Sequence, residues 1–225
     1  MLASLVKAVA QLPDPRFRRV LLIGLSATVV TYVVLLGAVG WGLSALKPFG
    51  IGWADTLTDV LGGLATAVIS LLLFPSVATM VLGLLQDDVA AAVEARHYPA
   101  LPAPRDQGWG WVIWGAVRFA LVSLVINLAA LPVYLTLMAV GVGAILYYAI
   151  NGYLLSRDYF EMAAWRRLDP RDADRLRRRH RLRLWLLGGV LAVLSTIPLV
   201  NLLAPLIATA AMVHEVEALR PAATR

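Results

Sequence analysis

The stretch from Ser195 to Val213, STIPLVNLLAPLIATAAMV, contains no charged side chain but has two prolines and one asparagine. Pro198 and Pro205 divide the uncharged run 184–213 into arms of about 14 and 8 residues. Each arm is shorter than the roughly 20 residues that a helix needs to cross a hydrocarbon core of about 30 Å. The pattern predicts a helical hairpin that enters the membrane and leaves on the same side. The alternative is a kinked helix that spans the membrane, because proline is tolerated in membrane helices.

The whole chain has the composition of an integral membrane protein. Of its 225 residues, 60 % are hydrophobic and 15 % are charged, and the mean hydropathy is +0.76. A soluble domain of this composition would expose too much apolar surface. Four runs contain no charge, and each is longer than a membrane crossing requires: 20–46, 60–85, 119–156 and 184–213. We therefore predict one all-α membrane domain over residues 1–225.

Two of these runs predict long transmembrane helices, over 20–46 and 60–85. The segment 1–19 carries four basic residues and one acid, which places it in the cytoplasm by the positive-inside rule. The second helix then returns the chain to the cytoplasm. There, 86–118 predicts an interfacial segment that is helical in its first half and a proline-rich loop in its second half.

The third uncharged run, 119–156, predicts a second hairpin. Arg118 and Arg157 flank it, and both lie in sequence assigned to the cytoplasm, so the chain crosses the membrane an even number of times or not at all. A helix of 38 residues would be about 57 Å long, which is too long for one crossing and short for two with a turn. Pro132 is a natural break. We therefore expect two half-penetrating arms joined near Pro132.

The two predicted hairpins share an asparagine shortly before a proline, Asn127 before Pro132 and Asn201 before Pro205. A backbone that turns at membrane depth frees N–H and C=O groups that lipid cannot satisfy. An asparagine at the tip can pair with those groups, or it can line a polar path. A proline in the first turn of the second arm would direct the positive end of that helix into the membrane, where it favours an anion. Pro198 is a further candidate for this position.

The segment 157–183 contains ten arginines and five acids. In a soluble protein such a basic cluster would suggest nucleic acid. Between two membrane segments, it predicts amphipathic cytoplasmic helices that bind anionic lipid headgroups, so nucleic acid is not an expected partner.

No pattern in the chain predicts catalysis or a cofactor. There is no cysteine, and the sequence has no phosphate-binding loop, zinc-protease motif, hydrolase elbow or dinucleotide fingerprint. His97, His180 and His214 share no metal-ligand spacing. We expect neither an enzyme nor a metal site.

The arrangement resembles the CysZ-type sulfate permeases and the related etoposide-induced-protein family. PRFRRVLLIGL (15–25) is similar to the basic start of the family's first long helix, and LLLFPSVATMVLGLLQDDVAAAVEAR (71–96) to its second. The stretch 151–181 resembles the polar helix between the hairpins, and IPLVNLLAPLIATAAM (197–212) the C-terminal hairpin. These stretches are distributed along most of the chain, from residue 15 to residue 212.

The resemblance implies two long spanning helices and two half-penetrating helical hairpins, assembled as a homo-oligomer in the bacterial inner membrane with both termini cytoplasmic. It also implies uptake of sulfate, or another small oxyanion, for sulfur assimilation. In the family, an anion site is associated with the basic pair at the start of the first long helix. Arg18 and Arg19 occupy the matching positions here. The alternative role of these arginines is to fix the orientation of the helix.

Three acids follow the second predicted helix: Asp87, Asp88 and Glu94. They are typical of a solvated interfacial helix with an acidic first turn. The alternative is that they form gating or interfacial ion pairs with arginines of 157–183.

Two functional hypotheses remain from the sequence. The first is an anion permease in which arginines concentrate the anion and helix N-termini and amides hold it, since none of the four apolar runs contains a charge. The second is a membrane scaffold or membrane-shaping protein whose half-inserted hairpins act in one leaflet.

Overall fold

The computed structural model describes residues 1–45, 60, 62–64, 81, 85–105, 108–139 and 141–220. Eight α-helices have both ends within these residues, and no β-strand occurs among them: α1 (Leu2–Ala10), α2 (Pro15–Ala45), α3 (Gln86–His97), α4 (Trp109–Ala139), α5 (Gly143–Trp165), α6 (Pro170–Arg179), α7 (Arg181–Leu194) and α8 (Pro198–Leu219). The predicted all-α fold is confirmed for this part of the chain. Most of the helix predicted over 60–85 lies outside the described residues.

Two helices are long and apolar enough to cross a membrane, α2 over Phe17–Gly42 and α4 over Ile113–Ala139. In the most apolar stretch of α4 no residue is buried, and in that of α2 only 11 % are. Such faces require lipid or another protein around them. The first helix matches the span predicted over 20–46. The second is the first arm of the hairpin predicted over 119–156, and it is longer than the half-penetrating arm expected there.

The break predicted near Pro132 is wrong, because α4 continues through Pro132 for seven more residues. A helix in lipid satisfies nearly all of its own backbone groups, so one missing N–H costs less than an open turn. The helix ends instead at Gly141, which has a φ of 77°. The Gly141 N–H donates to the Met138 carbonyl (3.1 Å) and the Val142 N–H to the Leu137 carbonyl (3.0 Å). This pair of bonds is the Schellman motif, which favours glycine in the left-handed position.

The second predicted hairpin turns at Ser195–Ile197, between α7 and α8. Pro198 occupies the first helical position of α8, where its missing N–H costs no hydrogen bond. Pro205 does not break the chain, since α8 continues through it to Leu219. The second arm therefore has 22 residues rather than about 8. The helix remains intact there because α1, α3, α5 and α7 pack around it.

Helix α8 forms the centre of the core. Every residue from 204 to 217 is buried, including the largest apolar side chains, Leu206 and Met212. Helix α3 joins this core through Val89 and Val93, and α5 joins it through Phe160.

Helix α5 also extends to Trp165, nine residues beyond the predicted end of the first hairpin. The Arg-rich segment is therefore partly a continuation of α5 and partly the separate helix α6.

Helices α5 and α7 pack closely through glycines. A Cβ added to Gly188 would overlap the Gly152 carbonyl oxygen and lie 2.7 Å from the Ser156 Cβ. A Cβ added to Gly152 would lie 2.8 Å from the Gly189 Cα. Small residues of this kind let two backbones approach, as in many membrane helix pairs. Near the turn the Tyr148 hydroxyl donates to the Thr196 hydroxyl (3.3 Å), so α5 and α7 run antiparallel.

Replacing Gly188 by alanine should destabilise the protein by about 1–3 kcal/mol, because the new methyl group forces two backbones apart. The matched control is Gly189→Ala, since a Cβ at Gly189 meets nothing within 4 Å. The measurement is equilibrium unfolding of both variants in the same mild detergent. Equal loss of stability in the two variants would contradict the close contact.

Candidate functional site

The start of α8 borders a small cleft whose lining is mostly apolar. Its volume is about 210 Å³, and α5, α7 and the first turns of α8 form its walls. The residues with polar groups around it are Tyr147, Asn151, Tyr159, Ser195 and Asn201. Ile197, the residue before α8, provides no side-chain cap. The positive end of the α8 dipole is therefore not neutralised by a side chain of its own cap.

Two of the predicted hairpin-tip residues, Asn201 and Pro205, line this cleft together. Asn201 makes no side-chain hydrogen bond within the described part of the chain, so its amide is available to a ligand or water. Asn151 donates to the Tyr147 carbonyl (2.9 Å), and Ser195 donates to the Leu191 carbonyl (2.9 Å). Each of these side chains donates to a backbone carbonyl group of its own helix. The cleft can therefore offer amide and hydroxyl groups to an anion, but its lining contains no cation.

The other predicted pair, Asn127 and Pro132, does not reach this cleft. Both lie in α4, where Asn127 donates from Nδ2 to the Ser123 carbonyl (2.8 Å) and is exposed. This bond is internal to a regular helical turn, so Asn127 does not satisfy a broken backbone. The asparagine–proline pattern that the two segments share therefore corresponds to two different local structures.

Arg18 and Arg19 lie in the first turns of α2, and both side chains are exposed. Neither has a hydrogen-bond or ion-pair partner among the described residues. The backbone of this helix start is already occupied, because the Phe17 N–H donates to Asp14 Oδ1 (3.3 Å). Asp14 is in turn bound by Arg96. An anion here would be held by the two guanidinium groups rather than by the first N–H groups of the helix.

The acids after the second predicted helix have different environments. Glu94 is buried and pairs with Arg166 (Nη2 to Oε2, 3.1 Å) and Arg167 (Nη2 to Oε2, 2.5 Å). Asp87 is largely exposed and pairs with Arg166 at 2.8 Å. Asp88 is exposed and has no partner among the described residues. The structure thus brings two of the three acids to arginines of 157–183 within one chain; a gating role for these pairs stays a prediction.

Most arginines of 157–183 are paired with acids. Seven of the ten make ion pairs: Arg157, Arg166, Arg167, Arg175, Arg177, Arg178 and Arg183. Three have no such partner within the described part of the chain: Arg171, Arg179 and Arg181. The charge available for lipid headgroups is therefore smaller than the composition suggests.

Asp158 has an unusual environment near the middle of this network. Its pKa is raised to about 6, mainly by burial and also by the neighbouring Glu161, while Arg157 opposes the change. Glu161 itself accepts from Arg157 (2.9 Å). The next residue, Tyr159, is 7 % exposed, and burial and Asp158 both raise its pKa.

Sequence reasoning did not identify the buried charges at the end of α8. Glu215 is fully buried, accepts from the Ser4 hydroxyl (2.6 Å) and is bound by Arg183. Burial alone would raise the pKa of Glu215, but the hydrogen bonds from Arg183 and Ser4 lower it. The sequence HEVE (214–217) directly follows an apolar run. This pattern could have identified the buried charges, because an acid on the buried face of a helix needs a partner.

Among the described residues no group of three or more His, Cys, Asp and Glu could hold a metal ion.

Comparison with known proteins gives the family of this chain. The family described as sulfate transporter CysZ/etoposide-induced protein 2.4 matches residues 4–205, so the chain belongs to that family. It is a membrane protein of a transporter family, with two helices long and apolar enough to cross the membrane. No curated protein matches the chain.

Replacing Glu94 by glutamine should destabilise the protein by about 3 kcal/mol, because the buried guanidinium of Arg167 then loses its counter-charge and that of Arg166 keeps only the exposed Asp87. Asp88→Asn is the matched control, since Asp88 is an exposed acid of the same helix. Its effect should stay within about 0.5 kcal/mol. Unfolding in detergent measures both; equal effects would show that the Glu94 pairs contribute little.

Proposed function

We propose that this protein is an anion permease of the bacterial inner membrane that takes sulfate into the cytoplasm, with both termini on the cytoplasmic side. Arg18 and Arg19 carry the proposal. They are exposed at the start of a helix that can cross the membrane, and they lack a partner within the described residues, whereas most arginines of 157–183 are neutralised by acids. Two adjacent guanidinium groups can receive a tetrahedral dianion through charge-assisted hydrogen bonds.

The lengths of the arms support two hairpins that enter from one side. The apolar part of α5, from Gly143 to Ser156, has 14 residues, and α7 also has 14. Each is about 21 Å long at 1.5 Å per residue, which is less than the hydrocarbon thickness of about 30 Å. The bond between Tyr148 and Thr196 holds the two turns near the same depth. In the proposed arrangement both turns therefore end inside the membrane, and the longer α4 is tilted.

The cleft at the start of α8 supplies the second part of the path. A dianion cannot enter a dry apolar region without groups that replace its hydration. The uncapped N-terminus of α8 and the free amide of Asn201 are such groups. A cleft of about 210 Å³ is too small to be a continuous pore by itself. We propose that several copies of the chain complete the path, with their exposed apolar faces on α2 and α4 in contact with lipid or one another.

The unpaired arginines of the polar segment have a separate role in this proposal. Arg171, Arg179 and Arg181 would bind anionic headgroups on the cytoplasmic side, which fixes the depth of the hairpins. Arg181 begins α7, so a headgroup bound there would act directly on the second hairpin.

Sulfate uptake tests the proposal. The double variant Arg18→Gln/Arg19→Gln, reconstituted into proteoliposomes, should take up radiolabelled sulfate at least about tenfold more slowly than the unmodified protein, because two charge-assisted contacts are lost. The matched control is Arg175→Gln/Arg178→Gln, which removes the same charge from exposed arginines that pair with Asp172 and Asp174 and should leave uptake nearly unchanged.

Two results would contradict the permease. A reduction of equal size in the control would assign the effect to general surface charge. The absence of protein-dependent flux of sulfate or any other oxyanion would favour the membrane scaffold instead.

Cysteine labelling tests the hairpins, since the chain has no cysteine of its own. Single cysteines at Val142 and Thr196, the two turns, should resist a membrane-impermeant maleimide added from outside. A cysteine at Leu46, the outer end of the helix predicted over 20–46, is the positive control. External labelling at Val142 would show that α4 and α5 cross the membrane completely.

A further inference from the structure

A second and larger cavity lies away from the α8 cleft, with a volume of about 650 Å³. Helix α1, the end of α3 with residues 98–101, and the last turns of α8 form its walls. This volume is within the range of sites that bind small organic molecules. It shares no lining residue with the cleft that contains Asn201.

Three buried polar side chains line this cavity, Ser4, Glu217 and His214, and His214 is the least exposed of them. Its side chain is on α8 and is 2 % exposed, with Nδ1 2.9 Å from the Tyr98 hydroxyl. If Tyr98 donates to Nδ1, the neutral ring carries its proton on Nε2. Nε2 is buried and has no hydrogen-bond partner among the described residues. A buried N–H without an acceptor is rare in folded proteins and favours a ligand that accepts from it.

Two further donors line the cavity. The His97 ring lies edge-on to the His214 ring, with centroids 4.7 Å apart. Lys7, on α1, lines the same cavity and is exposed, and no carboxylate pairs with it within the described part of the chain. The pKa of His97 is lowered by burial and then by Arg96 and Lys7, and the pKa of His214 is lowered to about 4 by burial and then by His97 and Lys7. Lys7 is therefore close enough to act on both rings.

The acids around these donors are already neutralised. Asp14, the acid that acts on His97, is bound by Arg96. Glu215 is bound by Arg183 and Ser4, and Glu217 pairs with Arg220 (2.6 Å). Arg183 also lines the cavity. Charge complementarity therefore favours an anion between Lys7 and the two imidazoles.

We propose that this cavity binds a phosphate monoester, with the phosphate held by Lys7, His97 and His214. Three donors on three separate elements match a tetrahedral group better than a carboxylate, which has only two oxygens. The organic part of the ligand would lie against Tyr98, Pro99 and Leu101, which form the apolar and aromatic side of the cavity. The phosphate can belong to a free small molecule or to a lipid headgroup. This inference does not depend on anion permeation.

The test is NMR of the full chain, labelled with ¹³C and ¹⁵N in histidine, in nanodiscs of zwitterionic lipid. The chain has only three histidines, and His180 lies outside the cavity, so it serves as an internal reference. Phenyl phosphate is the probe. It should shift the His97 and His214 signals saturably, leave His180 unchanged and raise the pKa of the two shifted rings.

The matched variants are Lys7→Gln and Arg175→Gln, both at exposed cations. Lys7→Gln should weaken phenyl phosphate binding at least about tenfold, since one charge-assisted contact is lost. Arg175→Gln should leave binding unchanged, because Arg175 pairs with Asp172 on α6. The inference is overturned if Lys7→Gln binds equally well, or if His180 shifts as much as His97 and His214.

A second arm distinguishes the two sources of phosphate. The same spectra are recorded in nanodiscs that contain an anionic phospholipid, without phenyl phosphate. Shifts of His97 and His214 in this arm, lost in Lys7→Gln, would assign the site to a headgroup. Shifts with phenyl phosphate alone would assign it to a free molecule, and no shift in either arm would refute the site.

Discussion

The close contact between Gly152 on α5 and Gly188–Gly189 on α7 sets the arrangement of α5, α7 and α8. Because the two backbones touch, the helices run side by side over much of their length and bring their turns together near Tyr148 and Thr196. The same contact places α7 so that α8, which follows its turn, returns into the core. The cleft at the start of α8 exists because three helix segments meet there. A side chain at Gly152 or Gly188 would separate them.

Charge pairing decides which cations remain available to ligands. Glu94 neutralises two arginines from a distant part of the chain, and Glu215 joins α1 to the start of α7. An unpaired charge in these buried places would be strongly unfavourable. After these pairs are made, Arg18, Arg19 and Lys7 are exposed without partners in the described residues. The two ligand sites that we propose are built on these residues, one at the start of a spanning helix and one in the cavity beside α1.

The turns of the two hairpins show where sequence reasoning succeeds and where it does not. Pro198 begins a helix, since the preceding residues form a turn, and its ring is compatible with a first position. Pro132 and Pro205 have the same local signal but lie inside helices. One missing N–H costs less free energy than the loss of a whole turn of hydrogen bonds. At Pro205, the packing around α8 also stabilises the continuous helix. Gly141 follows the end of α4, where its positive φ allows a Schellman motif, and a glycine at such a place is itself a local signal in the sequence.

The sequence by itself determined the membrane class, the helical fold, the first spanning helix and the family resemblance, because uncharged length and local patterns carry that information. Only the tertiary structure decided which acids meet which arginines, that Asn201 lines a cleft while Asn127 does not, and that His97, Lys7 and His214 surround one cavity. Residues 7, 97 and 214 are far apart in the chain, and no periodicity relates them. They come together because α8 is buried among α1, α3, α5 and α7, and long-range packing of this kind leaves no local trace in the sequence.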